Sequence, residues 1–224
     1  IGGAALPESI LRAFQDDYGV EVVHGWGMTE LSPVGTVSAM TARTRAMPPD
    51  DQLRVRLKQG RPPLGLQMKV GDESGAARPH DGRSAGSLLG KGPNVVERYF
   101  RHEASALDPE GYFDTGDIAT LDGEGFMKIT DRTKDVIKSG GEWISSIEIE
   151  NVALSHPKVA LAAVIGVPHP KWDERPLLVV VLKPDTEASK ADMLAHLDGK
   201  IARWWMPDDV IFIQEVPLGA TGKI

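Results

Sequence analysis

The spacing of apolar residues along this chain of 224 residues changes character twice, and these changes limit the folds that it can adopt. Residues 7–18 carry apolar side chains at helical spacing, and residues 20–23 then predict a short buried strand. From about residue 59 to residue 131, short β-like runs alternate with turns rich in glycine and proline. After residue 131, the pattern predicts helix, strand, strand, helix and strand in that order.

These changes predict a domain boundary near residues 131–134. Residues 1–131 are predicted as the end of a large α/β domain, in which about 1–58 are α/β and 59–131 form a small β-barrel-like subdomain. Residues 132–224 are predicted as a small, compact and mobile α+β domain. The predicted fold class of the whole chain is therefore α+β.

Two serines mark where the helices of the second domain are expected to begin. Ser145 has capping-box spacing to Glu148 and predicts a helix over residues 145–155, and Ser189 is a candidate N-cap for a helix over residues 189–203. Apolar runs over residues 159–167, 177–182 and 210–213 predict the strands of the same domain.

Charge and composition exclude several classes of function. A net charge of -7 argues against a nucleic-acid partner, because phosphate binding needs an excess of Lys and Arg. The chain contains no cysteine, so a thiolate nucleophile and a disulfide are excluded, and we expect a cytoplasmic protein. The longest apolar run is shorter than the ~18 residues that suggest a membrane span, and no signal peptide is visible. We therefore expect no transmembrane segment.

The first candidate binding motif combines two glycines, a large ring, a hydroxyl and a carboxylate. Gly25 and Gly27 allow close approach of the backbone to a ligand, and the indole of Trp26 can cover a purine. The hydroxyl of Thr29 can donate to a phosphate oxygen, and Glu30 can bind Mg²⁺ through oxygen. A strand-to-loop turn with Trp26 as a core residue remains the structural alternative.

The second candidate motif pairs an aspartate with an arginine. Asp117 follows a Thr-Gly turn, where a carboxylate can accept hydrogen bonds from the two hydroxyls of a ribose. Arg132 can donate to ribose or phosphate oxygens from the opposite side. The structural alternatives are an aspartate that caps its own turn and a surface ion pair between Arg132 and Asp131 or Asp135.

Four motifs occur in a fixed order, at residues 25–30, 112–117, 131–135 and 221–223. Together they resemble the second half of the adenylate-forming enzymes, which include acyl-CoA synthetases, luciferases and peptide-synthetase adenylation domains. The resemblance covers nearly the whole chain and is strongest to bacterial fatty acyl-CoA synthetases. Because no Ser/Thr/Gly-rich phosphate loop ending in lysine precedes the motifs, we expect a C-terminal piece of a longer protein.

The resemblance assigns roles to individual residues. It implies that Lys223 and Thr29 act in adenylation, that Glu30 binds Mg²⁺ and that His24 faces the acyl pocket. The residues that it implies for ATP and AMP binding are Gly3, Ala4, Gly25, Trp26, Gly27, Met28, Thr29, Asp117 and Arg132.

The resemblance also implies a second set of residues, for a later step. Lys134 aligns with the family's hinge between the large and small domains, although a solvated linker has the same pattern. The residues implied for coenzyme A binding are Lys138, Gly140, Gly141, Glu142 and Trp143. A β-hairpin turn is the structural alternative for this segment, and Trp172 is a weaker candidate for the same site.

The expected function is therefore that of an AMP-forming acid–thiol ligase, with ATP, Mg²⁺ and coenzyme A. A carboxylic acid of medium or long aliphatic chain would be converted to acyl-AMP and then to its coenzyme A thioester. Two alternatives remain: an adenylate-forming ligase that uses a carrier protein, and a non-catalytic nucleotide-binding module derived from the family. The sequence leaves formation of a homodimer open.

Overall fold

The computed structural model describes residues 1–3, 6–72 and 75–217. The chain separates into two compact units, Ile1–Thr133 and Lys134–Ile224. Each unit combines helices with sheets, which confirms the predicted α+β class. No helix in the described part of the chain is both long and apolar enough to cross a bilayer.

The first helical segment of unit 1 lies within residues 7–18, where the apolar spacing predicts a helix. An α-helix, α1 (Glu8–Arg12), continues as a π-helix over Ala13–Asp17. Leu11 is fully buried, whereas the side chains of Phe14 and Tyr18 are 43% and 74% exposed. Ile10, which precedes Leu11, is also 43% exposed, so only Leu11 of these apolar side chains is buried. Periodicity shows which side chains share a face, but burial needs a second element packed on that face.

The predicted strand over residues 20–23 is not among the strands that the structure describes. Only Val22 of this segment is buried, while Val20 and Val23 are exposed. The nitrogen of Ile1 donates to the carbonyl of Val23 at 2.8 Å, and the N–H of Gly25 donates to the carbonyl of Ile1 at 2.9 Å, so Ile1 contacts this end of the segment as a parallel neighbour would. An extended segment becomes a strand only where a neighbour completes its ladder of backbone hydrogen bonds.

The first glycine motif is itself a strand rather than a loop at the end of one. β1 (Gly25–Gly27) pairs in antiparallel fashion with β2 (Val34–Val37). A 3₁₀ helix over Thr29–Leu31 connects the two strands. Two helices then follow, α2 (Ala42–Arg45) and α3 (Pro49–Arg56).

A four-stranded antiparallel sheet forms the β-rich part of unit 1. Its strands follow one another in space in chain order: β3 (Gln67–Gly71), β4 (Gly86–Lys91), β5 (Phe113–Leu121) and β6 (Met127–Arg132). Leu88, Leu121 and Met127 are at most 2% exposed and form the centre of its core. The path of the described strands is open, so this part is a sheet rather than a closed barrel.

Unit 2 begins with a hairpin and continues with two helices on a sheet. Its elements in chain order are β7 (Ile137–Ser139), β8 (Glu142–Ile144), α4 (Ser146–Leu154), β9 (Val159–His169), β10 (Asp173–Leu182), α5 (Lys190–Leu197), a 3₁₀ helix (Arg203–Trp205) and β11 (Asp209–Phe212). β10 pairs with β9 in antiparallel fashion and with β11 in parallel fashion. Ile149, Leu178 and Leu197 are fully buried between the helices and the sheet.

Both predicted N-caps of unit 2 are present. The hydroxyl of Ser145 accepts from the backbone N–H of Glu148 at 3.2 Å, at the start of α4. Ser189 caps α5, but this helix ends at Leu197, six residues earlier than predicted. Asp198 is extended and Gly199 has a φ of +72°, so the backbone leaves the helical conformation there.

Replacing Ser189 by alanine should destabilise unit 2 by ~1 kcal/mol, the usual effect of losing an N-cap side chain. The N–H of Asp192 donates to Ser189 Oγ at 3.2 Å, and the N–H of Ser189 donates to Asp192 Oδ2 at 2.8 Å. The measurement is the urea midpoint of unit 2, with Ser9→Ala in α1 as the matched control. An equal effect of both changes would contradict the capping role.

Candidate active site

The aspartate motif builds its own turn within β5. Gly116 has a φ of +73°, a conformation that favours glycine. Its N–H donates to Asp114 Oδ1 at 2.9 Å, and the N–H of Asp117 donates to Thr115 Oγ1 at 3.2 Å. The hydroxyl of Thr115 in turn donates to the carbonyl of Leu88 in the neighbouring strand at 2.8 Å. These bonds fix the backbone that carries the Asp117 carboxylate.

The side chain of Asp117 lies between an indole and a guanidinium. Trp26 Nε1 donates to Asp117 Oδ2 at 2.9 Å, and Arg132 Nε lies 3.5 Å from Oδ1. Asp117 and Arg132 are cross-strand partners in β5 and β6. The Asp117 side chain is 9% exposed and that of Arg132 is 63% exposed. The structure therefore brings together the three residues Trp26, Asp117 and Arg132, and leaves the guanidinium accessible.

Trp26 has a structural role as well as this polar contact. Its ring packs against the core of the four-stranded sheet. It also lies so close to Gly35 in β2 that a Cβ built there would be 2.2 Å from ring atom Cζ3. Gly35 was not among the candidate residues, although a glycine inside a strand indicates a close approach. Trp26 is therefore a core residue, as the structural alternative predicted, and it is also a hydrogen-bond donor to Asp117.

The side chain of Glu30 accepts a hydrogen bond from Tyr99, a residue that the sequence motifs do not include. The phenol of Tyr99 donates to Glu30 Oε1 at 3.0 Å, and the carbonyl of Glu30 accepts from the N–H of Val96 at 2.8 Å. Burial and the hydrogen bond to Glu30 raise the pKa of Tyr99. The two side chains lie 69 positions apart, so no local pattern joins them. Thr29 lies next to Glu30 in the same 3₁₀ helix and is exposed.

A single carboxylate such as Glu30 fits the way in which proteins bind Mg²⁺, with few protein ligands and several waters or phosphate oxygens. Within residues 1–3, 6–72 and 75–217, no group of three or more His, Asp or Glu side chains could hold a metal ion. A protein cage for a metal is therefore not formed by the described residues.

The residues beside β1 hold its start in place. His24 is 1% exposed, and its Nδ1 lies 3.2 Å from the carbonyl of Leu57. The N–H of His24 donates to Ser38 Oγ at 2.8 Å. A Cβ built on Gly2 would lie 3.2 Å from the carbonyl oxygen of Gly25, so the segment that includes Gly3 runs close to β1. Ala4 lies outside the described residues.

In unit 2, the segment assigned to coenzyme A is a β-hairpin, as the structural alternative predicted. Gly140 and Gly141 form its turn with φ values of +61° and +85°, which suit a two-residue turn of the primed type. Lys138 faces Trp143 across the two strands, and Glu142 follows the turn. The turn glycines, Lys138 and Glu142 are exposed. Lys134 is also exposed and is the first residue of unit 2, whereas Lys223 lies outside the described residues.

Comparison with protein families decides the family of the chain. Residues 1–100 match the model of the AMP-binding enzymes, and residues 148–223 match the model of the C-terminal domain of the same enzymes. The chain belongs to the AMP-binding enzyme family. Its Asp117 and Arg132 lie between the two matched regions, and the match to the C-terminal domain includes Lys223.

Individual members of the AMP-binding enzyme family are similar over the whole chain. The 3-methylmercaptopropionyl-CoA ligase of Ruegeria lacuscaerulensis is 53% identical over 100% of this chain and 42% of its own length. The medium-chain-fatty-acid–CoA ligase of Ectopseudomonas oleovorans is 48% identical over 100% of this chain and 41% of its own length. The ATP-bound structure of MatB from Rhodopseudomonas palustris has a TM-score of 0.83 at 32% identity, over 100% of this chain and 42% of that one. This chain thus spans about two fifths of the length of these relatives.

Proposed function

We propose that this chain is the C-terminal part of an AMP-forming acyl-CoA ligase. The observation that carries the proposal is the contact of Asp117 with Trp26 and Arg132, which joins three predicted nucleotide-binding residues from distant parts of the sequence. The named activities of the two similar ligases support the same function. The proposal includes action in the cytoplasm, in keeping with a chain that contains no cysteine.

In this proposal, unit 1 binds the nucleotide. Asp117 accepts from the ribose hydroxyls and Arg132 donates to the ribose from its exposed position. The backbone of Gly25, Gly27 and Met28 lies beside the adenine, with Trp26 at its edge. Gly3 and Ala4 are assigned to the same adenine site, and His24 is assigned to the acyl side.

Thr29 and Glu30 serve the phosphates. The exposed hydroxyl of Thr29 donates to a phosphate oxygen. Glu30 supplies a carboxylate oxygen for Mg²⁺, while Tyr99 fixes the orientation of this carboxylate. A bound Mg²⁺ neutralises charge on the phosphates of ATP.

The proposed reaction has two steps. A carboxylate oxygen of the acid attacks the α-phosphorus of ATP, and the bond to the bridging oxygen breaks, which releases pyrophosphate and forms acyl-AMP. The sulfur of coenzyme A then attacks the acyl carbon, the bond from that carbon to the phosphate oxygen breaks, and AMP leaves while the thiol proton passes to solvent. Lys223 stabilises charge in the first step. Lys138, Gly140, Gly141, Glu142 and Trp143 are assigned to coenzyme A in the second.

The proposed substrate is an aliphatic carboxylic acid of medium or long chain, which places the enzyme in fatty acid metabolism. The medium-chain ligase of E. oleovorans supports this choice. The R. lacuscaerulensis ligase is named for a shorter acid that contains sulfur, so acids of this kind belong in the same test. A homodimer is the assembly to test by light scattering.

The test uses the longer protein that contains this chain, supplied with ATP, Mg²⁺, coenzyme A and acids of increasing length. We expect pyrophosphate release that depends on the acid, followed by formation of the acyl-CoA thioester. Thioester formation on a pantetheinylated carrier protein, but not on coenzyme A, would favour the carrier-dependent alternative. Nucleotide binding without pyrophosphate release would favour the non-catalytic alternative. The isolated 224-residue chain serves as a control and should not form acyl-AMP.

The proposed hinge at Lys134 gives a separate prediction. Lys134→Pro fixes one backbone torsion and should slow thioester formation from acyl-AMP by about tenfold or more while acyl-AMP formation is spared, because only the second step follows the change of domain orientation. Lys134→Ala is the matched control, since it removes the charge and leaves the backbone free. Equal loss of both steps in the proline variant, or equal effects of the two variants, would contradict the hinge.

A further inference from the structure

The glycine turn of unit 2 is held in place by residues 172–174, which are Trp172 and the first two residues of β10. The N–H of Gly140 donates to the carbonyl of Trp172 at 2.8 Å, and the N–H of Lys138 donates to Glu174 Oε2 at 2.9 Å. Ser139, between them, pairs with Asp173 across the two strands. Three consecutive residues of the hairpin are therefore bound to three consecutive residues of this segment.

The ring of Trp172 covers one side of the turn. A Cβ built on Gly140 would lie 3.0 Å from ring carbon Cε3 of Trp172, so the ring occupies the space that a side chain at residue 140 would need. Lys171 is exposed, and its Nζ lies 4.5 Å from the centre of the same ring. The turn thus has one covered side, at Trp172, and an exposed backbone at Gly140 and Gly141.

Arg175 connects this arrangement to a second loop. Its Nη1 donates to Ser139 Oγ at 3.3 Å and to the carbonyl of Trp204 at 2.9 Å. Its Nη2 donates to the carbonyl of Met206, and its Nε to Asp208 Oδ1, both at 2.9 Å. The Arg175 side chain is only 15% exposed. A guanidinium is suited to these four acceptors because its donors are held in a rigid plane, whereas a lysine has three donors on one atom.

We infer that Arg175, together with Trp172, is a positioning residue for the thiol-transfer step. The inference rests on the proposed function, in which the hairpin binds coenzyme A. A pantetheine arm is long and narrow, and the exposed glycine backbone can guide it only if the turn keeps one position. Arg175 and Trp172 fix the strand that leads into the turn, so that the turn does not need to be ordered by coenzyme A itself.

This role is separable from the stability of the unit 2 core. The acceptors of Arg175 are Ser139 of the hairpin and residues of the 204–208 segment. None of them is one of the fully buried residues of the cluster around Ile149, Leu178 and Leu197, and Met206 alone of them packs against this cluster. Losing Arg175 should therefore loosen the turn while the packing of α4 and α5 on the sheet is kept. Acyl-AMP formation is proposed to use the nucleotide site of unit 1 and Lys223 but not the hairpin, so this step serves as the reference for the thiol-transfer step.

The first test is hydrogen exchange on the 224-residue chain. In Arg175→Met, the amides of Lys138 and Gly140 should exchange at least about tenfold faster, while the amides of α4 and α5 keep their rates. Arg203→Met is the matched control, because Arg203 is an exposed arginine in the 3₁₀ helix that also contains Trp204. Unchanged exchange at Lys138 and Gly140 would overturn the inference, as would a uniform increase over the whole of unit 2.

The second test uses single-turnover kinetics of the longer protein. Arg175→Met and Trp172→Ala should raise the KM for coenzyme A and slow thioester formation from supplied acyl-AMP by about tenfold or more, with acyl-AMP formation within about twofold of the wild type. Arg175→Lys should not restore the thioester step. Rescue by this lysine, or equal losses in both half-reactions, would overturn the inference. Failure of the proposed function is a distinct result, because the wild-type protein itself would then form no thioester.

Discussion

Replacing Lys223 by alanine should lower the rate of acyl-AMP formation by at least two orders of magnitude in the longer protein. The residue lies in a Thr-Gly-Lys sequence within the region that matches the C-terminal domain of the AMP-binding enzymes. A positioned ammonium that stabilises charge on a transferring phosphoryl group contributes ~3 kcal/mol or more in a site that excludes water. Conversion of supplied acyl-AMP and coenzyme A to thioester should remain nearly unchanged, because the glycine hairpin serves that step.

Single-turnover measurement of both half-reactions on the same variant tests this prediction. Lys200→Ala is the control, since it removes an exposed lysine from the same unit. Parallel losses in both half-reactions would contradict the assignment of the two steps to different parts of unit 2. If neither half-reaction changes, Lys223 takes no part in catalysis and the proposed mechanism is wrong.

Replacing Asp117 by alanine should raise the KM for ATP by about a hundredfold while the KM for coenzyme A changes little, because two charge-assisted hydrogen bonds to the ribose are lost. The carboxylate is buried, accepts from Trp26 at 2.9 Å and lies 3.5 Å from Arg132. Its removal also leaves the indole N–H without this acceptor, so part of the effect arises from the pocket itself.

Nucleotides that lack a ribose hydroxyl separate these two contributions. The wild-type protein should discriminate against 2′-deoxy-ATP and 3′-deoxy-ATP, and Asp117→Ala should lose most of that discrimination. Asp117→Asn is the conservative control, because its amide oxygen can still accept from Trp26. If Asp117→Ala weakens ATP and both deoxy analogues to the same extent, the aspartate supports the pocket but does not bind the ribose. Equal increases in the KM values for ATP and coenzyme A would also exclude the ribose assignment.

Local features of the fold followed from the sequence where the cause is itself local. Ser145 and Ser189 cap helices because a serine hydroxyl can reach the N–H three residues later. Gly140 and Gly141 form a hairpin turn because both adopt positive φ. Val20 and Val23 are exposed and belong to no strand of the described residues, because β structure depends on neighbouring segments that a local pattern cannot show.

The polar contacts of the candidate site could not be derived in the same way. Trp26 and Asp117 are 91 positions apart, and Glu30 and Tyr99 are 69 apart. The resemblance selected Trp26, Asp117 and Glu30 as binding residues, but their mutual contacts depend on how the strands and loops of unit 1 pack. Gly35 and Tyr99 carry no motif, so only the folded arrangement shows that one makes room for the indole and the other binds the carboxylate.

Because Gly35 has no side chain and Trp26 packs against it, positions 26 and 35 have to be changed together when the protein is engineered. Trp26 fills the volume next to Gly35, and even the methyl group of an alanine would overlap its ring. A larger residue at position 35 therefore requires a smaller ring at position 26, and a smaller ring gives up the indole N–H that Asp117 accepts. Most variants that change only position 35 would overfill this volume, most that change only position 26 would leave part of it empty, and in both cases Asp117 would be displaced. Libraries that vary nucleotide preference should therefore diversify positions 26 and 35 together.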